Sequence, residues 1–251
     1  MHIIMNINAL YAVLRPSEAA STPDPSQAME ADMLDDRTAT RTLGSLLALA
    51  GLLAGAALPF HPNEFAAGAL LDPRWVPVHA ALLVSFALSV PGVVGRWFVQ
   101  RHALATWGHA AFLVATVGCA LSVAMVAIEL CVLPGIAIGD PRPMMELTAP
   151  GGAYGGTAAL FGVGFLAWIP GWMAAGIATH QARVLARPLG LAITCSAVAV
   201  AVPVHFVGGA GLGLHAVTGV AFGAAWLGLG VAVAGGLSTP ESRQVADTRT
   251  P

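Results

Sequence analysis

The sequence predicts an all-α polytopic membrane protein, a bundle of six transmembrane helices. Three observations predict this class: 57% of the 251 residues are apolar, only 10% are charged, and the mean hydropathy is +0.76. A soluble domain carries roughly a quarter charged residues, so the deficit indicates that lipid surrounds most of the chain. Helices satisfy every backbone amide internally, as lipid requires, whereas a β-barrel would show short segments of alternating hydrophobicity.

Six apolar stretches without Asp, Glu, Lys or Arg are the predicted spans. Each is close to the roughly 20 residues that a helix needs to cross the hydrocarbon core. Ser17–Asp36 is rich in Pro, Ser, Ala and acidic residues and Ser238–Pro251 is polar, which favours disorder in both tails. The chain is therefore divided into a disordered cytoplasmic N-terminal tail (1–42), a six-helix transmembrane domain (43–237) and a disordered cytoplasmic C-terminal tail (238–251). The stretches are Leu43–Phe60, Trp75–Gly95, Leu104–Ile128, Gly156–Ala178, Pro188–Val207 and Leu212–Gly236.

The arginines predict the orientation of the bundle. All eleven basic residues are arginine, and nine of them fall in the two tails and in the second and fourth loops. Only Arg74 and Arg142 fall in the first and third loops, and the fifth loop has none. The positive-inside rule then places both termini on the cytoplasmic side of the plasma (inner) membrane. Four tryptophans are interpreted as anchors at the membrane interface: Trp75, Trp97, Trp107 and Trp172.

Small residues and prolines predict how the helices pack. Gly51/Gly55 and Gly219/Gly223 have the four-residue spacing that lets two helices approach closely. A proline inside a span removes one helical hydrogen bond and permits a kink. Three spans contain such a residue: Pro91, Pro170 and Pro203.

Composition and motifs exclude several functions. A net charge of −2 without basic stripes argues against nucleic-acid binding. The three cysteines have no CxxC spacing, which argues against a disulfide framework or a structural zinc cluster. The chain has no GxSxG, P-loop, HExxH or dinucleotide-binding motif, so catalytic residues are not assigned and an enzymatic role is left open. The lipid bilayer is the expected partner, with a homo-oligomer or a membrane-complex partner left open.

Four ionisable residues are predicted at one depth beneath the same membrane face, His79, Glu129, His205 and His215. His79 and Glu129 lie at the outer ends of the second and third stretches. His205 and His215 are each five residues from Ala210, roughly 6–7 Å below the turn between the last two helices. His61 and Glu64 are predicted to contribute from the first loop. Ionisable groups at this depth are costly and usually face the bundle interior.

These residue types suit three kinds of chemistry. Imidazole and carboxylate together are ligands for a divalent metal, and the second imidazole nitrogen then needs an acceptor such as Glu64 or Asp72. Haem is a second cofactor considered, with His79 paired with His205 or His215 across the bundle. A proton relay is the third, since imidazole titrates near neutral pH. Neither the cofactor nor its identity follows from the sequence.

The first half of the chain resembles uncharacterised bacterial multi-pass membrane proteins. Leu58-Pro59-Phe60-His61-Pro62-Asn63-Glu64 is similar to their acidic His-Pro loop, and Trp75-Val76-Pro77-Val78-His79 to their Trp-x-Pro-x-His helix start. Glu129-Leu130-Cys131-Val132-Leu133-Pro134 resembles the end of their third helix. The resemblance covers three helices and implies a multi-pass membrane fold without a particular activity.

The combined interpretation is an integral plasma-membrane protein whose outward-facing His/Glu pocket binds a metal, a haem or a small polar ligand. Two alternatives are kept. A small-molecule or proton-coupled transporter predicts alternating access around kinked helices. An accessory or structural subunit of a membrane complex predicts tolerance of substitutions at the histidines.

Overall fold

The described part of the chain is all-α. The computed structural model describes residues 25–149, 155–202 and 212–236, with backbone alone for 25–36, 145, 201–202 and 212–215. Two single 3₁₀ turns, Leu58–Phe60 and Ala69–Leu71, lie in the first loop. The α-helices are α1 (Pro25–Ala57), α2 (Trp75–Gln100), α3 (Thr106–Cys131), α4 (Leu133–Ala137), α5 (Met144–Thr148), α6 (Gly155–Ala182), α7 (Arg187–Val202) and α8 (Leu212–Ala234).

Five helical segments in the described residues are long and apolar enough to cross a membrane. They are Arg37–Phe60, Trp75–Gln100, Thr106–Ala137, Gly155–Ala182 and Ala216–Ala234. The fifth predicted stretch is represented by the shorter apolar segment Arg187–Val200, and the rest of that stretch falls in 203–211, outside the described residues. The all-α membrane class is therefore confirmed, whereas the count of six spans stays a prediction.

The chain divides into two units, Met1–Thr38 and Ala39–Pro251. In the first unit the described residues are helical and belong to the beginning of α1. Because α1 begins at Pro25, its first turns lie within the predicted tail 1–42. The second unit holds the remaining elements. The tail and domain boundaries stay predictions.

Helix α2 is longer than its apolar stretch and ends at Gln100, not at Gly95. Arg96, which the sequence assigned to a loop, is therefore inside the helix, and its side chain is 0% exposed. Trp75 and Trp172 are also 0% exposed, so their interpretation as interface anchors is wrong. Both indoles are instead surrounded by neighbouring helices, because each lies on the inward face of its own helix.

Glycine contacts bring α8 against α1. A Cβ atom at Gly230 would lie 2.7 Å from the carbonyl oxygen of Gly44, and one at Gly51 would lie 2.6 Å from that of Gly223. Such distances leave no room for a side chain, so the two backbones touch. The predicted glycine spacing at Gly51 and Gly55 falls on this interface.

Each remaining long helix packs on its neighbours within the second unit. Helix α3 contacts both α2 and α6, α6 contacts α7, and α7 contacts α8. The core between them is aromatic, with Trp172 stacked on Trp226 at a centroid distance of 4.5 Å. Apolar side chains on the opposite faces, such as Leu113 and Leu166, are exposed and suited to lipid. Pro91 and Pro170 lie within the continuous helices α2 and α6.

Loops and short helices cover the end of the bundle at which α2 begins and α3 ends, here called the Trp75 end. The amide of Gly68 in the first loop donates to the carbonyl of Pro141 in the third, at 2.9 Å. An apolar cluster packs beneath this link, formed by Ala69, Leu70, Trp75, Met125, Leu133, Ala137, Met144, Leu147 and Phe161. The first and third loops are thereby held over the ends of α2 and α3.

Candidate functional site

His79 is fixed on α2 by Trp75, one turn earlier. Residues four apart share one helix face, and the two rings are stacked with their centroids 4.0 Å apart and 19° between their planes. Nδ1 of His79 lies 2.8 Å from the carbonyl oxygen of Trp75. A carbonyl oxygen only accepts, so Nδ1 carries hydrogen and donates. The neutral ring then presents the lone pair of Nε2 to the site.

Glu129 reaches the same place from α3. Nε1 of Trp75 donates to the backbone carbonyl of Glu129 at 2.8 Å and ties the beginning of α2 to the end of α3. The Glu129 carboxyl oxygen Oε2 lies 3.5 Å from Nε2 of His79. His79 is 0% exposed and the side chain of Glu129 only 12% exposed. The structure thus brings together two of the four predicted site residues.

His61 and Glu64 form a second pair of the same kind in the first loop. Nδ1 of His61 lies 2.9 Å from the carbonyl of Pro62, so it also donates to backbone. Nε2 of His61 lies 3.4 Å from Oε1 of Glu64, and the two side chains are 7% and 13% exposed. The two first-loop residues therefore contact each other, and their predicted contribution to a metal site stays a prediction.

The two imidazole–carboxylate pairs are adjacent, since the rings of His61 and His79 have centroids 4.8 Å apart. In both contacts the unprotonated Nε2 of the histidine faces a carboxyl oxygen. Each of these atoms is a hydrogen-bond acceptor when the carboxyl group is ionised. Two acceptors attract each other only when a proton lies between them, on either partner. Nε2 of His79 has no hydrogen-bond partner among the described residues, so a proton or a donor group from a ligand is what would join the two sides of such a pair.

Burial and local charge set the titration of the loop groups around the site. Burial lowers the pKa of His61 to about 4, while its bond to the Pro62 carbonyl acts in the opposite direction. Hydrogen bonds from Arg74 lower the pKa of the partly exposed Asp72 to about 2. At neutral pH His61 is accordingly neutral and Asp72 ionised.

The predicted acceptors for the second imidazole nitrogens are wrong for the described histidines. Asp72 is occupied by the guanidinium and amide of Arg74, at distances of 2.7–3.0 Å. Glu64 faces Nε2 of His61, the nitrogen that would have to bind the metal. Backbone carbonyls, which carry no sequence signature, accept from Nδ1 in both rings.

A cavity of about 260 Å³ opens beside the carboxylates of Glu64 and Glu129. The rest of its wall is mostly apolar, formed by Met144, Thr148, Ala149, Ala158, Phe161 and Phe165. The residues from 144 onward were not predicted as site residues. The apolar members carried no signal that distinguished them from ordinary helix-packing residues, because apolar residues dominate the whole chain.

Metal binding is not supported by the described residues, among which no three His, Cys, Asp or Glu side chains are arranged to hold one ion. His205 lies outside the described residues, and of His215 only the backbone, in α8, is described. The four-residue metal site and the haem pairing through His205 or His215 therefore stay predictions.

Comparison with known proteins finds no match for this chain among family models, curated proteins or solved structures. The resemblance to uncharacterised bacterial multi-pass proteins stays a prediction, and function has to be argued from the site alone.

The hydrogen bond from Trp75 to Glu129 leads to a prediction about stability. We expect Trp75→Phe to lower the free energy of unfolding by about 1–3 kcal/mol, because it leaves the Glu129 carbonyl without its indole donor. Unfolding of the detergent-solubilised protein measures the effect. Trp107→Phe is the matched control, since Trp107 is 43% exposed. Equal losses in both variants would contradict a role for the bond.

Proposed function

We propose that this chain is an integral membrane protein that binds a small organic cation, such as an alkylammonium ion, between Glu64 and Glu129. The observation that supports the proposal is the convergence of these two carboxylates on one cavity. Glu64 reaches the cavity from the first loop and Glu129 from the end of α3. Like charges that share a buried site repel each other, and a cation between them relieves the repulsion.

The cavity wall favours an organic cation. Phe161 and Phe165 line it together with Met144, and aromatic faces attract an ammonium group through their quadrupole. Its volume of about 260 Å³ is near the lower limit of the range for ligand pockets, roughly 300–1,000 Å³. A ligand of a few heavy atoms is therefore expected, with the ammonium on the carboxylates and the alkyl part on the phenyl rings.

The histidines would hold the carboxylates ready for this ligand. His79 and His61 each place Nε2 within 3.5 Å of one carboxyl oxygen. A proton shared in either pair neutralises part of the negative charge while the cavity has no cation. The arrival of an ammonium group, which supplies its own N–H donors, then allows the proton to leave. Binding should consequently release protons.

The arginine distribution supports an outward-facing cavity. The sequence assigns nine of the eleven arginines to the tails and to the second and fourth loops, and Arg96, which lies inside α2, is still near the end of that helix away from Trp75. The cavity lies at the Trp75 end, formed by the first and third loops with the adjoining helix ends. With both termini cytoplasmic, as the positive-inside rule requires, this end faces away from the cytoplasm.

Probe binding to the purified full chain tests the proposal. We expect butylammonium to raise the thermal unfolding midpoint, and butanol, its neutral analogue of similar size, to leave it unchanged. Calorimetry in two buffers of different ionisation enthalpy should show proton release. Glu129→Gln and Glu64→Gln are expected to weaken binding at least about tenfold each, since each removes one carboxylate charge.

Glu146→Gln is the control, because Glu146 is an exposed carboxylate near the same end and does not line the cavity. Equal responses to butylammonium and butanol would overturn the proposal, as would unchanged affinity in both cavity variants. If the purified protein contained one zinc ion per chain and His79→Ala lost it, the predicted metal site would be supported in place of the cation site.

Transport is a second candidate that the two proton-holding pairs favour. Exchange of a proton for a cation at one membrane face is the first step of a proton-coupled antiporter. Helices α2 and α6 contain Pro91 and Pro170, where a hinge is permitted. An accessory or structural subunit would respond to neither probe.

A further inference from the structure

Arg96 is a fully buried cation near the other end of α2. Its side chain is 0% exposed, and it lies four residues, or about 6 Å, before the helix ends at Gln100. An arginine inside a membrane span is costly and generally marks a binding or transport site. The proposed cation site does not involve it, since Trp75 lies 21 residues earlier, about 31 Å along the helix.

Two aromatic rings contact the guanidinium, and neither satisfies its N–H groups. Cζ lies 4.5 Å from the centroid of Phe112 and 5.1 Å from that of Trp172. These contacts stabilise the positive charge through the ring faces. The five N–H donors point outward in the guanidinium plane. None of Nε, Nη1 and Nη2 has a hydrogen-bond acceptor among the described residues.

No described carboxylate neutralises Arg96. Those with described side chains belong to the first and third loops or to the end of α3, all at the Trp75 end: Glu64, Asp72, Glu129, Asp140 and Glu146. The ion pairs found among them involve His61, His79, Arg74 and Arg142 instead. Leaving a buried guanidinium without any anion costs several kcal/mol.

Gln100 adds a second buried polar atom at the same place. Its side chain is one turn beyond Arg96 on the same helix face, and its Nε2 donates to the Arg96 carbonyl at 3.1 Å. Its Oε1 is buried without a donor among the described residues. The guanidinium of Arg96 offers several N–H donors in one plane, and Oε1 of Gln100 offers one acceptor. This combination matches an oxyanion that also carries a hydroxyl group.

We propose that Arg96 and Gln100 bind a hydroxyl-bearing phosphate group in the half of the bundle away from the Trp75 end. Two phosphate oxygens accept from the guanidinium fork, as Arg and phosphate commonly pair, and the hydroxyl donates to Gln100 Oε1. Hydrogen phosphate and the headgroup of phosphatidylglycerol share this chemistry. The Phe112 ring, which contacts the guanidinium, also lines a groove of about 340 Å³ between α2 and α3, the nearest open space beside the site.

Thermal unfolding of the full chain in non-ionic detergent tests the site and separates the two sources. We expect phosphate at about 100 times its Kd to raise the midpoint by about 5 °C over chloride at equal ionic strength, or phosphatidylglycerol to do so over phosphatidylcholine. A response to phosphate assigns a soluble ligand, and a response to phosphatidylglycerol alone assigns a lipid headgroup.

Two variants locate the response. Arg96→Gln should abolish it, whereas Arg101→Gln should keep it. Arg101 is the matched control because its guanidinium lies over Phe98 at 3.6 Å and already donates to the Phe98 carbonyl at 2.7 Å. A response that survives in Arg96→Gln overturns the proposal. If that variant does not fold, the wild-type protein still decides: a midpoint unaffected by either probe overturns the proposal as well.

Discussion

Gly223→Ala is expected to lower the free energy of unfolding by about 3 kcal/mol or more. A Cβ atom at this position would lie 2.6 Å from the carbonyl oxygen of Gly51, and closer still to backbone atoms of Gly55. Backbone cannot rotate away as a flexible side chain does, so α1 and α8 would have to separate. Overpacking of a tight core costs about 1–3 kcal/mol and more when backbone must shift. Equilibrium unfolding in detergent measures the loss.

Gly162→Ala is the matched control for that substitution. Gly162 lies within α6, and a Cβ atom there would have no neighbour within 4 Å. Alanine is the better helix former by about 1 kcal/mol, so this variant should be as stable as the parent chain or more so. A similar loss in both variants would mean that the substitution acts through the unfolded chain. The close contact between α1 and α8 would then not explain the effect of Gly223→Ala.

The amino-acid pattern was sufficient for the fold class and insufficient for helix ends. Uncharged stretches such as Leu43–Phe60 can lie in the hydrocarbon core, so they predict the part of each span that lies within the bilayer. Arg96 breaks the second run, and a rule that ends a span at the first charge places it in a loop. The structure instead continues α2 to Gln100, because Phe112 and Trp172 of neighbouring helices enclose the guanidinium. Such enclosure depends on which helices are neighbours, and the sequence does not give this.

The equal depth of His79 and Glu129 indicated that they could meet, and it did not indicate which groups surround them. Positions at equal distances from helix ends meet when their helices are adjacent, as His79 of α2 and Glu129 of α3 do. The Trp75 indole was assigned to the interface because tryptophan is common there, yet it stacks on His79 and binds the Glu129 carbonyl. Depth gives the level of a side chain and leaves its direction around the helix open. The predicted site that includes His205 and His215 depends on the direction in which these two side chains point around their helices.

Acidification is expected to destabilise the protein through His61. Its pKa is about 4 in the folded chain, against 6.5 for a fully solvated histidine, because burial disfavours the imidazolium. Between these values the unfolded chain binds a proton that the folded chain does not. The contribution of His61 is therefore complete above pH 6.5, falls as the pH approaches 4, and is constant below. A pKa difference of about 2.5 corresponds to about 3 kcal/mol.

His61→Gln isolates this contribution, since glutamine offers polar atoms without titrating. Three ionisable groups face His61 or its neighbour, Glu64, His79 and Glu129, and they remain in both proteins. The difference in unfolding free energy between parent and variant should thus vary with pH chiefly between about 6.5 and 4. Parallel profiles for parent and His61→Gln would show that the first loop does not bury His61 in the folded protein.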